Sequence, residues 1–326
     1  EMIPAESLWP INDTWEYHCG RNEFQTLNRY NTAMNERFGK PATLDEYCTK
    51  AQLLNYESIR PMFEAFQANR YDATGIIQWM LNSSWPKLIW QLYGFDLLPN
   101  GAFYGTKKAL APLQAIYDYG TNEIVVSNSS LLNFEGLKLG IRVFNLDMKE
   151  LLKEEVAFGL NEDDRKVVFK LPDIIKGLDP TYFLDLRIFS GVNETLAVNQ
   201  YLLTTTKHEF DWDKTYFVHT PTKKHQNLRQ INELPAVSLI SNLKYAQADK
   251  KMELEIDVEN PSDNLALSIE LMLLDAGTGR FVAPVYLDDN YFSLLPGEKR
   301  TVSGYCYLSD LESTSLKLKV SGLNIE

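Results

Sequence analysis

The sequence has 326 residues, with 32 lysines and arginines against 44 aspartates and glutamates, a formal net charge of −12 at pH 7. This balance argues against a nucleic-acid-binding protein, because such proteins use a basic face to neutralise phosphates. Hydrophobic residues make up 44% and aromatic residues 12% of the chain, which excludes a disordered protein. Because a single core stops growing at about 250–300 residues, two or three domains are expected.

The first hundred residues show the spacing of amphipathic helices. Leu27, Tyr30, Met34 and Phe38 recur at helical intervals and are followed by Gly39, which predicts a helix that ends at this glycine.

A second helix is predicted to begin at Thr43-Leu44-Asp45-Glu46, a capping box in which hydroxyl and carboxylate bond free backbone amides. Pro61 lies inside this helix and is expected to bend or split it near Ile59. Charged helix positions usually face solvent, so the acidic residues of the two helices are predicted to be solvated: Glu36, Glu46, Glu57 and Glu64.

A short apolar run at residues 75–81 stops at Asn82-Ser83-Ser84, a pattern typical of a buried parallel strand flanked by helices. A further helix is predicted through residues 104–110, which completes an α/β order of elements. A complete (β/α)8 barrel needs about 250 residues, so residues 1–112 are predicted to form only part of one. An incomplete parallel sheet exposes apolar edges, so we expect residues 1–108 to form a homodimer or to aggregate.

The densest apolar stretch, residues 75–93, is interrupted by Asn82, Pro86 and Lys87, so no membrane span is expected. From residue 113 onward the pattern changes to short β-type runs separated by turn residues. The predicted strands are 124–126, 137–144, 167–169, 182–189, 200–204, 216–219, 252–258, 267–274, 282–286, 301–307 and 316–320. Regular short strands of this kind predict two immunoglobulin-like β-sandwiches, at residues 113–206 and 207–326.

Several residues around the predicted buried strand have the chemistry of a sugar site. Trp79 lies on the strand, and Asn82, Trp85 and Trp90 follow it. In α/β barrels the carboxyl end of a strand and the next loop line the active site. Aromatic faces stack on the C–H face of a pyranose while amides bond its hydroxyls. On pattern alone, the alternative that these are core residues stays open.

The residues of this stretch resemble glycoside hydrolase family 2, in the branch of exo-β-D-glucosaminidases and β-mannosidases. The segments that carry the resemblance are WMLNSSWPKLIWQLY at 79–93 and NGAFYGTKKA at 100–109. Other segments match in the same order, at 8–10, 15–18, 37–42, 50–57 and 284–298. The resemblance therefore covers essentially the whole chain.

The resemblance implies a multidomain enzyme in which this chain supplies the C-terminal portion of a (β/α)8 TIM barrel and two immunoglobulin-like sandwiches. It implies a retaining β-glycosidase that hydrolyses β-mannosides or β-glucosaminides with two glutamates, one as acid/base and one as nucleophile. Both glutamates are expected upstream of residue 1, so this chain alone is expected to be inactive. A secreted or periplasmic location is expected, with any signal peptide also outside this sequence.

The resemblance places Trp79 on the floor of the subsite for the cleaved sugar, with Asn82 and Trp85 in the following turn. It places Tyr17 and His18 at the pocket rim, where a packed tyrosine and a surface histidine are the alternative reading. Ser83 stands where many relatives have an acidic residue. The expected partner is a carbohydrate with β-linked mannose or glucosamine, with no nucleic acid, no cofactor and no metal. A non-catalytic carbohydrate-binding or structural protein remains the alternative.

Overall fold

The computed structural model describes residues 2–20, 24–88, 91–173, 175 and 177–326. Within these ranges the α-helices lie in the first third of the chain. They are α1 (Asp13–Tyr17), α2 (Asn28–Phe38), α3 (Leu44–Ala68) and α4 (Gly101–Ala109). Strands make up most of the ordered backbone in the remaining two thirds, arranged as two sandwiches. No helix in the described ranges is both long enough and apolar enough to cross a membrane.

The predicted ends of the first two long helices are confirmed. Helix α2 buries Met34 and Phe38 and stops at Gly39, whose φ of 83° is easily reached by glycine. Helix α3 starts at Thr43, whose Oγ1 accepts a hydrogen bond from the Glu46 amide at 3.2 Å. The carboxylate of Glu46 accepts from the amide of Ala42, one residue before the expected partner.

Helix α3 runs through Pro61 without splitting, and buried residues such as Tyr56 and Phe63 lie on both sides of the proline. A bend at Pro61 stays a prediction. Another expectation about α3 is wrong. Glu57 and Glu64 are buried rather than solvated, since this face of α3 packs on the first sandwich. Only the exposed Glu36 and the partly exposed Glu46 fit the predicted solvated pattern.

The predicted strand at 75–81 is also wrong. These residues have no regular secondary structure, and the side chain of Ile77 is 90% exposed. An apolar run becomes a buried strand only when another strand pairs with it, and no strand of the described residues pairs here. The described part of residues 1–112 therefore contains helices and irregular segments but no barrel strand.

The first sandwich contains seven antiparallel strands in two sheets, ordered β1-β2-β5 and β4-β3-β6-β7. All five strands predicted between residues 113 and 206 are confirmed, whereas β1 and β4 were not predicted. The strands are β1 (Leu113–Tyr117), β2 (Glu123–Asn128), β3 (Phe134–Asn145), β4 (Glu150–Leu160), β5 (Asp164–Lys170), β6 (Thr181–Phe189) and β7 (Thr195–Thr204).

The second sandwich packs the sheet β10-β11-β15-β13 against the sheet β14-β12-β16, and a separate hairpin, β8-β9, precedes it. The strands are β8 (Glu209–Phe210), β9 (Thr222–Lys224), β10 (Ile240–Ala248), β11 (Lys251–Glu259), β12 (Ala266–Asp275), β13 (Tyr286–Leu287), β14 (Phe292–Leu294), β15 (Lys299–Tyr307) and β16 (Leu316–Ser321). The strands predicted at 252–258, 267–274, 301–307 and 316–320 are confirmed.

Two predicted strands in this half are wrong. Residues 216–219 form a tight turn in which Tyr216 and His219 bond each other's backbone at 3.1 Å. Of residues 282–286, only Tyr286 belongs to a strand, because Pro284 has no amide to donate to a ladder.

One apolar cluster joins the helices to both sandwiches. Its members come from α2 and α3 (Met34, Phe38, Leu53), from the first sandwich (Phe144, Phe183, Leu202), and from the later chain (Leu228, Ile231, Leu265, Leu267). Each sandwich also has a core cluster between its own two sheets. The domain boundaries at 112/113 and 206/207 stay predictions, since the shared cluster crosses both.

A buried polar network fixes α3 to the first sandwich. Arg60, 1% exposed, donates through Nη1 to the Gln200 carbonyl at 2.6 Å and through Nη2 to the Glu57 carboxylate at 3.3 Å. Its guanidinium lies 4.2 Å from the ring centroid of Tyr201. Glu64 Oε1 accepts hydrogen bonds from Tyr201 and Asn199, both at 2.9 Å.

A second ion-pair group joins the two sandwiches. Arg187 on β6 contacts Asp185 at 2.8 Å and Glu298, in the turn before β15, at 3.1 Å. The side chain of Gln200 also donates to Asp185 at 2.9 Å, so this group adjoins the Arg60 network. The three parts of the chain are thus held together by polar as well as apolar contacts.

The exposed apolar side chains in the irregular segment after α3 lead us to expect that the 326-residue chain self-associates. Ile77, Trp79 and Leu81 are all exposed, and clustered apolar surface of this kind promotes association. Light scattering after size exclusion is expected to show a mass above the monomer that rises with concentration. The double variant Ile77→Ser, Leu81→Ser is expected to move the protein toward the monomer. A clean monomer at all concentrations tested would contradict this prediction.

Candidate functional site

Tyr17, His18 and Trp85 form an aromatic cluster on the surface. The His18 ring stacks on Trp85 with centroids 5.7 Å apart and planes 28° apart. Tyr17 meets both rings edge-on, at 5.3 Å from His18 and 5.9 Å from Trp85. Tyr17 is 71% exposed and Trp85 38% exposed, so these rings can contact a ligand from solvent.

Hydrogen bonds fix this cluster across 68 residues of sequence. His18 Nδ1 lies 2.8 Å from the carbonyl oxygen of Pro86, and the amide of Leu88 donates to the His18 carbonyl at 2.8 Å. The bonded carbonyl of Pro86 fixes the orientation of the imidazole ring, and through it the ring of Trp85.

Helix α1 positions Tyr17 and His18 because one of its side chains is anchored in the core. The side chain of Asn12 caps the helix by accepting from the Thr14 amide at 3.0 Å. Trp15 is buried and meets Tyr47 of α3 edge-on at 5.6 Å. With Trp15 turned inward, Tyr17 lies on the solvent side of this short helix.

Trp79 and Asn82 lie on the exposed loop that leads into the cluster. Trp79 is 72% exposed and Asn82 is exposed, whereas the neighbouring Ser83 is buried. The loop folds back on itself, since the carbonyl of Leu81 accepts from the amides of Leu92 and Tyr93, both at 3.0 Å. This turn places Tyr93 beside Leu81, which follows Trp79 by two residues.

The structure brings together three of the five predicted site residues. Tyr17, His18 and Trp85 are in contact, and the ring contacts among the described residues do not join Trp79 to them. Trp90 lies outside the described residues. The sugar-binding roles of Trp79, Asn82, Trp85, Tyr17 and His18 stay predictions.

These five side chains supply rings, an imidazole and an amide, which suits stacking on a sugar and bonding its hydroxyls. They include no carboxyl group, whereas hydrolysis of a glycoside by retention needs two. The arrangement can therefore bind a sugar but lacks the groups that would cleave it.

Sequence reasoning missed two groups of residues. The Glu57-Arg60-Glu64 spacing of three and four residues signals an ion-paired helix face, and this face is buried. Tyr305 and Tyr307 alternate along β15 and so lie on one face of a sheet, with Tyr286 beside them on β13.

Comparison with known proteins agrees with the resemblance seen in the sequence. The family model of the exo-β-D-glucosaminidase Ig-fold domain matches residues 217–325. The exo-β-D-glucosaminidase of Streptomyces avermitilis is 32% identical over 99% of this chain and 37% of its own length. That of Arthroderma benhamiae is 30% identical over 98% of this chain and 36% of its own length. The mannosylglycoprotein endo-β-mannosidase of Lilium longiflorum is 24% identical over 90% of this chain and 35% of its own length.

Solved structures resemble the fold over the whole chain. The exo-chitosanase CsxA of Amycolatopsis orientalis has a TM-score of 0.91 and 28% identity, covering 99% of this chain and 39% of CsxA. The β-D-mannosidase of Dictyoglomus thermophilum has a TM-score of 0.71 at 18% identity over 99% of this chain and 35% of its own, a likeness of fold alone. The chain thus spans a little over a third of the relatives that it matches. The chain is thus similar over almost its whole length to exo-β-D-glucosaminidases of glycoside hydrolase family 2, and residues 217–325 match the Ig-fold domain of those enzymes.

Proposed function

We propose that this chain is the C-terminal part of a retaining exo-β-D-glucosaminidase, which removes terminal glucosamine from β-linked oligomers. The observation that carries the proposal is the match to CsxA, an exo-chitosanase, at a TM-score of 0.91 across helices, loops and both sandwiches. The relatives from S. avermitilis and A. benhamiae, which are the more similar in sequence, are named for glucosamine, and the lily relative for mannose. Glucosamine is therefore the substrate we favour over mannose.

In this proposal the helices α2, α3 and α4 belong to the outer ring of a (β/α)8 barrel. Residues 75–81 form its last strand when preceding strands are present to pair with them. The exposure of Ile77 fits this assignment, since pairing would bury the apolar side of the run. The loop that carries Asn82 and Trp85 then lies at the catalytic end of the barrel.

The two glutamates that cleave the bond lie upstream of residue 1 in this proposal. One protonates the leaving oxygen, and the other attacks the anomeric carbon to form a glycosyl-enzyme, which water then hydrolyses. The residues of this chain hold the sugar: Trp79 stacks on its C–H face, and Tyr17, His18 and Trp85 form the rim. Because oligomeric substrates of this class lie outside cells, we further propose a secreted or periplasmic enzyme.

The test is hydrolysis of nitrophenyl β-glycosides of glucosamine, mannose, galactose and glucose. The 326-residue chain is assayed beside the same chain extended at its N-terminus through the whole barrel. We expect release of nitrophenol only from the glucosaminide and only by the extended form. Release of nitrophenol by the 326-residue chain would show that the catalytic glutamates do not lie upstream of residue 1. A preference for the mannoside would show that the substrate is mannose and not glucosamine.

A non-catalytic sugar-binding protein is the second candidate. The exposed rings of Tyr17, Trp79 and Trp85, without a carboxylate among the predicted site residues, favour it. Its signature would be a change in tryptophan fluorescence on adding glucosamine oligomers, combined with no hydrolysis by either form.

A further inference from the structure

Three tyrosines lie together on the outer face of the second sandwich. Tyr286 on β13 is the cross-strand neighbour of Tyr305 on β15, and their rings stack with centroids 4.9 Å apart. Tyr307 meets the ring of Tyr305 edge-on at 5.6 Å and that of Tyr286 at 6.0 Å. Tyr286 and Tyr307 are partly exposed. We call these three residues the tyrosine face.

The tyrosine face already holds one ammonium group. Nζ of Lys251 lies 3.8 Å from the ring centroid of Tyr305 and 5.6 Å from that of Tyr307. An ammonium over a tyrosine ring is attracted by the negative face of the π system. Tyr286 and Lys251 thus both contact the ring of Tyr305. The rings of Tyr286 and Tyr307 are exposed and remain available to a ligand.

Carboxylates lie on the same face of the sheet, beside the tyrosines. Glu253 on β11 is exposed and lies directly across from Tyr305 in the antiparallel register. Beyond Glu253, the outward-facing residues of β11 are Glu255, Asp257 and Glu259, all of them acidic. Nζ of Lys244 lies 2.7 Å from the carboxylate of Glu255 and 3.1 Å from that of Asp257. On the outer face of β10, β11 and β15, the carboxylates of Glu253, Glu255, Asp257 and Glu259 outnumber the ammonium groups of Lys244, Lys251 and Lys299.

Tyr93 connects the tyrosine face to the candidate sugar site. Its amide bonds the carbonyl of Leu81 at 3.0 Å, in the loop that carries Trp79. Burial raises the pKa of the Tyr93 hydroxyl, and the neighbouring Tyr286 and Tyr305 add to that rise. Tyr93 is thus bonded to the loop that carries Trp79 and lies near two members of the tyrosine face.

We propose that the tyrosine face and the adjoining carboxylates bind the uncleaved part of a protonated glucosamine oligomer whose terminal sugar occupies the candidate site. A glucosamine oligomer carries one ammonium on each sugar, and tyrosine rings and carboxylates both attract ammonium groups. Its pyranose rings also present C–H faces to the exposed rings. This inference rests on the proposed function, because it takes glucosamine as the substrate.

The experiment is calorimetric titration of the 326-residue chain with a hexamer of β-1,4-linked glucosamine at low salt and mildly acidic pH. Tyr286→Ala and Tyr307→Ala are each expected to weaken binding about three- to tenfold. Glu253→Gln is expected to weaken it about threefold, with the difference lost at high salt. The neutral N-acetylglucosamine hexamer is expected to bind more weakly than the charged one.

Two variants serve as matched controls. Phe217→Ala removes an exposed aromatic residue from the turn between β8 and β9, and Glu154→Gln neutralises an exposed glutamate on β4 of the first sandwich. Both are expected to bind the hexamer like the parent chain. Equal affinity of the parent, Tyr286→Ala and Tyr307→Ala, no binding at all, or equal affinity for the neutral hexamer would each overturn the inference.

The extended polypeptide separates this inference from the proposed function. Tyr286→Ala in that form is expected to leave hydrolysis of the nitrophenyl glucosaminide unchanged and to raise KM for the hexamer about three- to tenfold. Absence of hydrolysis of the small glycoside would refute the proposed function. Normal hydrolysis with an unchanged KM for the hexamer would refute only the tyrosine face.

Discussion

Replacing Arg60 with methionine is expected to lower the free energy of unfolding by about 3–5 kcal/mol, because it leaves two buried carboxylates without their cation. Glu57 lies 3.3 Å and Glu64 3.8 Å from the guanidinium, and all three side chains are buried. The change also removes the hydrogen bond to the Gln200 carbonyl, which ties α3 to the first sandwich. Urea unfolding of parent and variant measures the difference.

The pH dependence of this variant identifies the cause of the loss. Burial raises the pKa of Glu64, and Arg60 acts against that rise. Without Arg60 the pKa of Glu64 is expected to rise further, so the folded state binds a proton that the unfolded state releases. Stability relative to the parent is then expected to recover as the pH falls from 7 toward about 5.

Two further variants complete this test. Adding Glu64→Gln to Arg60→Met is expected to restore part of the lost stability, since it removes one unpaired charge. Arg280→Met breaks an exposed pair with Glu312 and is expected to change stability by less than about 0.5 kcal/mol. A loss of similar size in Arg60→Met and Arg280→Met would contradict the role of burial.

Replacing Trp79 with alanine in the extended polypeptide is expected to lower kcat/KM for the nitrophenyl glucosaminide about ten- to a hundredfold. An aromatic platform contributes about 1–3 kcal/mol when it stacks on a flat ligand, and each 1.4 kcal/mol corresponds to a factor of ten. The large exposure of Trp79 in this chain shows that its ring is not committed to a core. Steady-state kinetics measure the change.

Trp212→Ala is the matched control for Trp79→Ala, since Trp212 is 71% exposed but lies beside the β8-β9 hairpin. It is expected to leave kcat/KM unchanged. Trp79→Phe should retain more activity than Trp79→Ala, because it keeps an aromatic face. If Trp79→Ala and Trp212→Ala had the same kinetics, Trp79 would have no place in the sugar site.

Strands whose side chains alternate between a buried and an exposed face could be predicted from the sequence, whereas a strand without that alternation could not. On β11, Met252, Leu254, Ile256 and Val258 alternate with polar residues and point into the core, so the period of two is evident. Strand β4 lies at the edge of its sheet and is mostly charged or half-exposed, so it resembles a loop in sequence. Alternation reports burial, and β4 has little of it.

The error at residues 75–81 has a different origin. The apolar composition of this run shows that it could form a buried strand. Whether it does so depends on another strand that pairs with it, and the composition of the run does not report that strand. Trp79 and Trp85 were identified by residue type, yet the contact of Trp85 with His18 depends on a bond to the Pro86 carbonyl that no sequence pattern encodes. The tyrosine face was missed because Tyr286 reaches Tyr305 only through the pairing of β13 with β15.

The apolar cluster shared by α2 and both sandwiches limits how such proteins can be recombined. Phe38, Phe183 and Leu267 come from three distant parts of the chain and pack in this one cluster. A chimaera that joins residues up to 206 to the remainder of a relative divides the cluster between two parents, whose side chains were never selected to fit. A crossover in the exposed turn at 191–193 has the same fault, because both sides still contribute to the cluster. The unit that can be exchanged intact is therefore the helices together with both sandwiches.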